Sequence, residues 1–220
     1  RSFYSIYGED AIIMGIIDRH AMHTGKQIEL SYIDIGAWRP IKGSNTYFLY
    51  KKGCAGTVVE PNPHFQRMWN AIRPRDTYLA IGCGLQKSAN LQIFHPSAAS
   101  NTMSEVFAEA ISNSQSAKVT QSLTVPLRSL QEIITSHVAN SKLPFLLDID
   151  IEGMDYEVIS SFNFPEGYRP IIILIEDKPP IGDSTDSLLI HNFMTSKNYK
   201  LIARTVVTAI YVDENSTLVY

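Results

Sequence analysis

An apolar run from Leu30 to Ile35 carries Asp34 and breaks at Gly36, and a second run, Thr57 to Glu60, closes on a carboxylate about two dozen positions later. In a doubly wound α/β sheet the turn after the first strand brings a ligand close to the backbone. An acid at the tip of the next strand then binds ribose hydroxyls. Two short buried strands at this spacing predict a mostly parallel sheet with helices on both faces and a nucleoside site at its rim.

The residues after the turn narrow the choice of nucleoside. Gly36 is followed by Ala37-Trp38-Arg39-Pro40, so the second and third glycines of a dinucleotide fingerprint are missing. A pyrophosphate would meet no glycine cradle there, and Asp34 would repel it. A cationic ligand would be attracted, which favours S-adenosylmethionine over NAD. Either half of the pattern alone reads as a strand end with a solvated acid; both together predict the cofactor.

The 220 residues fit one domain, 1–220, with 45% hydrophobic and 19% charged side chains. A formal charge of -3 and a single basic doublet, Lys51-Lys52, argue against nucleic acid as a partner. Cys54 and Cys83 stand outside any metal-binding spacing and predict reduced thiols in a cytoplasmic protein. No apolar stretch is long enough to span a membrane, and the opening residues lack the layout of a secretory signal.

Helical spacing over Gly8 to His23 predicts an N-terminal helix within residues 1–25, stopped at Thr24-Gly25. Ser44-Asn45-Thr46 can cap a helix to Lys52, and Phe65 to Ile72 reads as another. Thr77 to Ile81 predicts a third strand running into Gly82. Residues 85–125 break the strand-helix alternation, with extended segments at Asn90 to Phe94 and Val119 to Val125 around a short helix near Glu105 to Ile111. This region reads as an insertion whose polar loop covers the site. Further on, Leu127 to Val138 predicts a helix, Leu143 to Asp150 a strand, Met154 to Phe162 a helix and Pro170 to Glu176 a central strand. Thr185 to Ser196 is then helical, and Tyr199 to Arg204 with Thr208 to Val212 forms a closing antiparallel pair.

Ligands of such sheets collect at the C-terminal strand ends, where this reading places Asp34, Gly36, Glu60, Gly82, Asp148, Asp150 and Glu176. Asp148, Asp150 and Glu152 alternate, so a continuing strand would aim all three to one side. Like charges so close must share protons, bind a ligand or hold a cation. With Glu176-Asp177 on the neighbouring tip they suit Mg²⁺ or a similar ion, with Asp150, Glu176 and Asp177 as ligands. Alternatively, Glu152 or Asp155 caps a helix and Glu176-Asp177 opens a solvated loop. Asp150 is the candidate base, supported by Asp148 and Glu176. His20 and His23 read as surface residues at a helix end, His64 as a helix-start or ribose-pocket residue, and His95 as an exposed loop histidine. Asp177-Lys178-Pro179-Pro180 departs from the Asp-Pro-Pro-aromatic signature of adenine-N6 methyltransferases at Lys178.

Five motifs in order, Tyr7-Gly8-Glu9-Asp10, Tyr32-Ile33-Asp34-Ile35-Gly36-Ala37, Ser44-Asn45-Thr46 with Tyr50-Lys51-Lys52-Gly53, Glu60-Pro61-Asn62-Pro63 and Asp150-Ile151-Glu152-Gly153, resemble the FkbM-type S-adenosylmethionine-dependent methyltransferases. The resemblance implies a class I methyltransferase (Rossmann-like) three-layer fold with seven strands and methyl transfer to a hydroxyl of a sugar, glycan or related natural product. By matched position it implies Asp34, Gly36 and Ala37 at the methionine part of the cofactor, Glu60 at the ribose and Ile81-Gly82 at the adenine. Tyr7, Gly8, Asn45, Pro61 and Asp148 complete the expected cofactor set. Trp38-Arg39 and Asp148 depart from the family pattern. Two other readings stay open: a cofactor-binding module without catalysis in a glycan-assembly complex, and a methyltransferase of the same fold acting on a small molecule or RNA.

Overall fold

The computed structural model describes residues 2–115, 117–177 and 185–220. In chain order the elements are α1 (Glu9–Thr24), β1 (Tyr32–Ile35), α2 (Tyr47–Lys51), β2 (Gly56–Val59), a 3-10 turn (Pro63–Phe65), α3 (Gln66–Ile72), β3 (Thr77–Leu79), β4 (Gly82–Cys83) and β5 (Ser88–Ile93). They continue with α4 (Glu105–Gln115), β6 (Gln121–Arg128), α5 (Leu130–Asn140), β7 (Leu146–Ile149), α6 (Asp155–Ser160), β8 (Ile172–Glu176), α7 (Thr185–Ser196), β9 (Tyr199–Arg204) and β10 (Thr208–Asp213).

Seven strands form the main sheet in the order β3-β2-β1-β7-β8-β10-β9. All neighbours up to β8 are parallel, and β10 runs antiparallel to both β8 and β9. Side-chain alternation explains why both faces are covered. Ile33, Ile35, Leu147, Ile149, Ile173 and Ile175 point into one cluster with Ile133, Ile159 and Met194 of α5, α6 and α7. Tyr32, Val58, Leu146, Ile172 and Leu174 point into the opposite cluster, where Ile13, Leu49 and Trp69 of α1, α2 and α3 close the layer. Each such buried aliphatic or aromatic side chain contributes about 1.5–3 kcal/mol. This is the class I methyltransferase arrangement.

Residues 85–125 contain much of a second, three-stranded sheet, β4-β6-β5. The expected strand through Ile81 stops at Leu79, and Gly82-Cys83 leaves the main sheet to pair with Leu127 and Arg128. That register extends β6 to Arg128, so α5 begins later than its periodicity predicts. Ser129 then caps it reciprocally with Glu132. Gly25 ends α1 in the left-handed conformation, as its position after Thr24 predicts. His20, expected at the surface, is buried, and its Nδ1 accepts the Val219 amide, so the chain's last residues cover that helix face. Residues 178–180 of the proline-rich stretch lie outside the described residues.

Candidate active site

The parallel register aligns the C-terminal ends of β2, β1, β7 and β8: Ile35 is paired with Val59 and Ile149, and Ile149 with Ile175. Beyond these ends lies a narrow cleft bordered by Gly36, Glu60, Pro61, Asp150 and Glu152. Asn62, Phe65, Gly82 and Met103 add to its walls. Of the expected cofactor residues, Gly36, Glu60, Pro61 and Gly82 line the cleft. Tyr7, Gly8, Asp34, Ala37, Asn45, Ile81 and Asp148 do not line it.

Gly36 adopts φ +84°, and a Cβ there would stand 1.8 Å from the carbonyl oxygen of Asp150. The glycine therefore makes room for the loop after β7; a ligand's approach is not what first requires it. The Gly36 and Ala37 amides both donate to the Val59 carbonyl, which fixes the turn against β2. Glu60 accepts the amides of Trp38 (2.9 Å) and Asn62 (2.7 Å). Burial raises its pKa to about 7, against the pull of those amides.

Behind the cleft, Asp34 and Asp148 occupy paired positions on β1 and β7. Asp34 accepts the Thr46 hydroxyl at 2.5 Å, and Asn45 hydrogen-bonds Asp148, whose Oδ1 has no partner among the described residues. Burial lifts Asp34 to about 6 although Arg73 pulls it down, and it lifts Asp148 well above the carboxylate range, helped by the charges of Asp34 and Asp150. The two acids cannot both ionise cheaply in a site closed to water. Glu9 adds a further charge near Asp148, and the Thr205 hydroxyl donates to it, tying α1 to the β9–β10 turn.

Arg73 supports this acid group and was not foreseen. It is fully buried, ion-pairs with Asp76 at 2.6 Å and donates to the Thr46 and Ser44 hydroxyls. The rings of Trp69, Tyr32 and Tyr50 lie 4.5, 5.2 and 5.3 Å from its guanidinium. A planar, weakly hydrated cation tolerates such an aromatic box. Only the tyrosine and tryptophan content around Arg73 hinted at it.

The third group is the acid trio Asp150, Glu152 and Glu176, which bring one oxygen each within 4.8 Å of one another. The expectation of one extended segment through Glu152 is corrected: β7 ends at Ile149, and Glu152 (φ +54°) and Gly153 (φ +97°) turn left-handed. Asp155 braces that turn by accepting the Ile151 and Gly153 amides; it is the first residue of α6, whose cap position is Met154 without a side-chain cap, so the helix-cap alternative is corrected too. Burial, then the charge of Asp150, raises Asp155 to about 7. Asp177, named as a metal ligand, is not in the trio. Its carboxylate pairs with Arg204 at 2.7 Å and accepts the Ser187 hydroxyl.

A strap from residue 95 to 102 crosses the cleft mouth. The Trp38 indole (3.1 Å) and Arg39 guanidinium (3.3 Å) donate to the Ser97 carbonyl, and the Asn62 amide donates to that of Pro96 (2.9 Å). At the far end the Thr102 hydroxyl donates to the Glu152 carbonyl at 2.7 Å. His95 is exposed and accepts from Ser97, and His64 is also exposed. Neither reaches the cleft.

The model of the methyltransferase FkbM domain matches residues 34–201, so its match opens on Asp34 and contains Gly36, Glu60, Arg73, Asp148 and the acid trio. None of the curated proteins matches the chain.

Proposed function

Because the chain belongs to the methyltransferase FkbM domain family, we propose that it transfers the methyl group of S-adenosylmethionine to a hydroxyl oxygen of a sugar, glycan or related natural product. The observation that carries this reading is the cleft itself, in which Glu60, Gly36 and Asp150 border one space at the strand ends. Glu60 fits a ribose diol, because each of its amide-bound oxygens keeps a further lone pair. Phe65 and Met103 fit an adenine ring. Asp34, Asp148, Asn45 and the Tyr7-Gly8 segment ahead of α1 lie off the cleft lining and are assigned to the methionine-ammonium end as the source of its negative field. A cationic donor matches a cradle so rich in acids.

The donor supplies a carbon with a good leaving group, so the protein's part is alignment and removal of a proton. Orientation of reacting atoms in line contributes about 7–11 kcal/mol. Asp150 lies where cleft and acid trio meet and is assigned as the base that takes the hydroxyl proton. Asp150, Glu152 and Glu176 present hard oxygen donors close enough to share one cation of the Mg²⁺ class, which would lower the hydroxyl's pKa. The strap acts as a cover that keeps water from the donor. No helix among the described residues is long and apolar enough to cross a membrane. The free thiols of Cys54 and Cys83 support a cytoplasmic setting.

Among the described residues no lysine or arginine lines the cleft, which weighs against an RNA acceptor. Calorimetry with S-adenosylmethionine and its demethylated product should show binding, and labelled methyl should pass to a saccharide panel. Absence of heat with both compounds on folded protein would overturn the assignment. Tight binding without transfer to any acceptor would favour a non-catalytic module.

A further inference from the structure

Two more hollows open beside the cofactor cleft, and Ser104, Gly153 and Glu157 line both. They form one groove with two characters. Gln86, Ser88, Asn90 and Thr124 give one half amides and hydroxyls from the small sheet and the turn leading into it. Phe107 of α4 and Tyr156 of α6 give the other half ring faces, and this half ends at Glu176 and Asp177.

The groove touches the reaction centre at two places. Met103 lines both its polar half and the cofactor cleft. Glu176 lines its apolar half and belongs to the acid trio, whose other members line the cleft. Among the described lining residues there is no lysine or arginine, while Glu105, Asp155, Glu157, Glu176 and Asp177 are all acids. With Asp177 paired to Arg204 and Asp155 bound by two backbone amides, the exposed carboxylates of Glu105 and Glu157 are the groups that would repel a phosphate or sulfate there. Exposed amides and hydroxyls match sugar hydroxyls, and ring faces match the C–H faces of sugar rings.

We infer that this groove is the acceptor site and that it takes an uncharged oligosaccharide lying across both halves, in preference to a single sugar or a phosphorylated acceptor. The inference rests on the methyl-transfer reading above and adds where the acceptor lies and how much of it is held.

The test uses the whole chain, labelled donor and neutral saccharides of increasing length, beside a sugar phosphate and a nucleotide-sugar. Transfer efficiency should rise at least about tenfold from one ring to several and be lower by a similar factor for the phosphorylated acceptors, a difference of about 1.4 kcal/mol. Asn90→Ala and Gln86→Ala lie on exposed positions. Each should cut the preference for long over short acceptors several-fold while affinity for the demethylated donor holds. Equal transfer to one ring and to several, preference for the phosphorylated acceptors, or variants without effect would overturn the groove and leave the methyltransferase reading standing. Calorimetry of the same saccharides on donor-product-loaded protein separates the two. Length-dependent heat that Asn90→Ala weakens, without transfer, would uphold the groove and refute catalysis; neither heat nor transfer would overturn the groove.

Discussion

Asp34 and Asp148 are direct partners in the parallel register of β1 and β7, two carboxyl groups held side by side in the buried layer behind the cleft. Both have pKa values raised mainly by burial, Asp34 to about 6. In the unfolded chain they titrate near 4, so between about pH 4 and 7 the folded state binds more protons. Stability contributed by their protonated forms is therefore present at acid pH and lost as pH rises through that window. Asp148→Asn should stabilise the ligand-free protein at pH 8 and have little effect at pH 4. Thermal unfolding across pH checks it; an equal effect at both ends would refute the shared-proton account.

Donor affinity should carry the same titration in reverse. As Asp34 and Glu60 ionise between about pH 5 and 8, binding of the sulfonium donor should tighten more than that of its uncharged-sulfur product. Calorimetric titration of both compounds at each end of the range measures the difference. Parallel behaviour of the two compounds would mean that the acids do not sense the sulfonium.

Glu60→Ala removes the carboxylate that holds the Trp38 and Asn62 amides and faces the cleft. Hydrogen bonds to a charged group contribute about 1.5–3 kcal/mol each, so donor affinity should fall by one to two orders of magnitude. Glu60→Gln should fall less. Unaltered affinity in the alanine variant would move the ribose elsewhere.

Gly36→Ala drives a methyl into the Asp150 carbonyl at a positive φ. The substitution should cost about 2–4 kcal/mol or force the β7–α6 loop outward, reducing turnover together with stability. Chemical denaturation and a turnover assay measure the two; a wild-type midpoint would show that the loop yields freely.

Asp150→Asn should lower turnover by about 10²–10⁴-fold with donor affinity changed only a few-fold. If the trio holds a divalent cation, chelation should lower turnover of the parent chain, and Glu152→Gln should weaken rescue by Mg²⁺. Full activity in chelator would leave Asp150 acting as a base alone.

Much of this architecture was legible where one physical requirement dominated. β8 is an unbroken isoleucine-leucine run because it is buried on both faces, and the closing β9–β10 pair showed itself as two β-rich runs around a short turn. Glu60 announced its place because a carboxylate after a buried strand needs a reason to be there. Less legible were features set by partners distant in sequence. The Asp150 carbonyl against Gly36, the aromatic box of Arg73 and the diversion of Gly82-Cys83 into a second sheet leave no periodic trace. Glu152 and Asp177 misled in opposite ways. A left-handed turn decides which way the first points, and Arg204 on another strand claims the second.

At residues 96 and 97 the strap over the cleft is gripped by its main chain, while at its far end the Thr102 side chain holds it. Trp38, Arg39 and Asn62 all reach for carbonyl oxygens at residues 96 and 97, and none of these bonds depends on which side chain the strap carries. The course of residues 96 and 97 is thus written in the body of the fold, so these two positions are free to change their chemistry toward the solvent while keeping their path over the cleft.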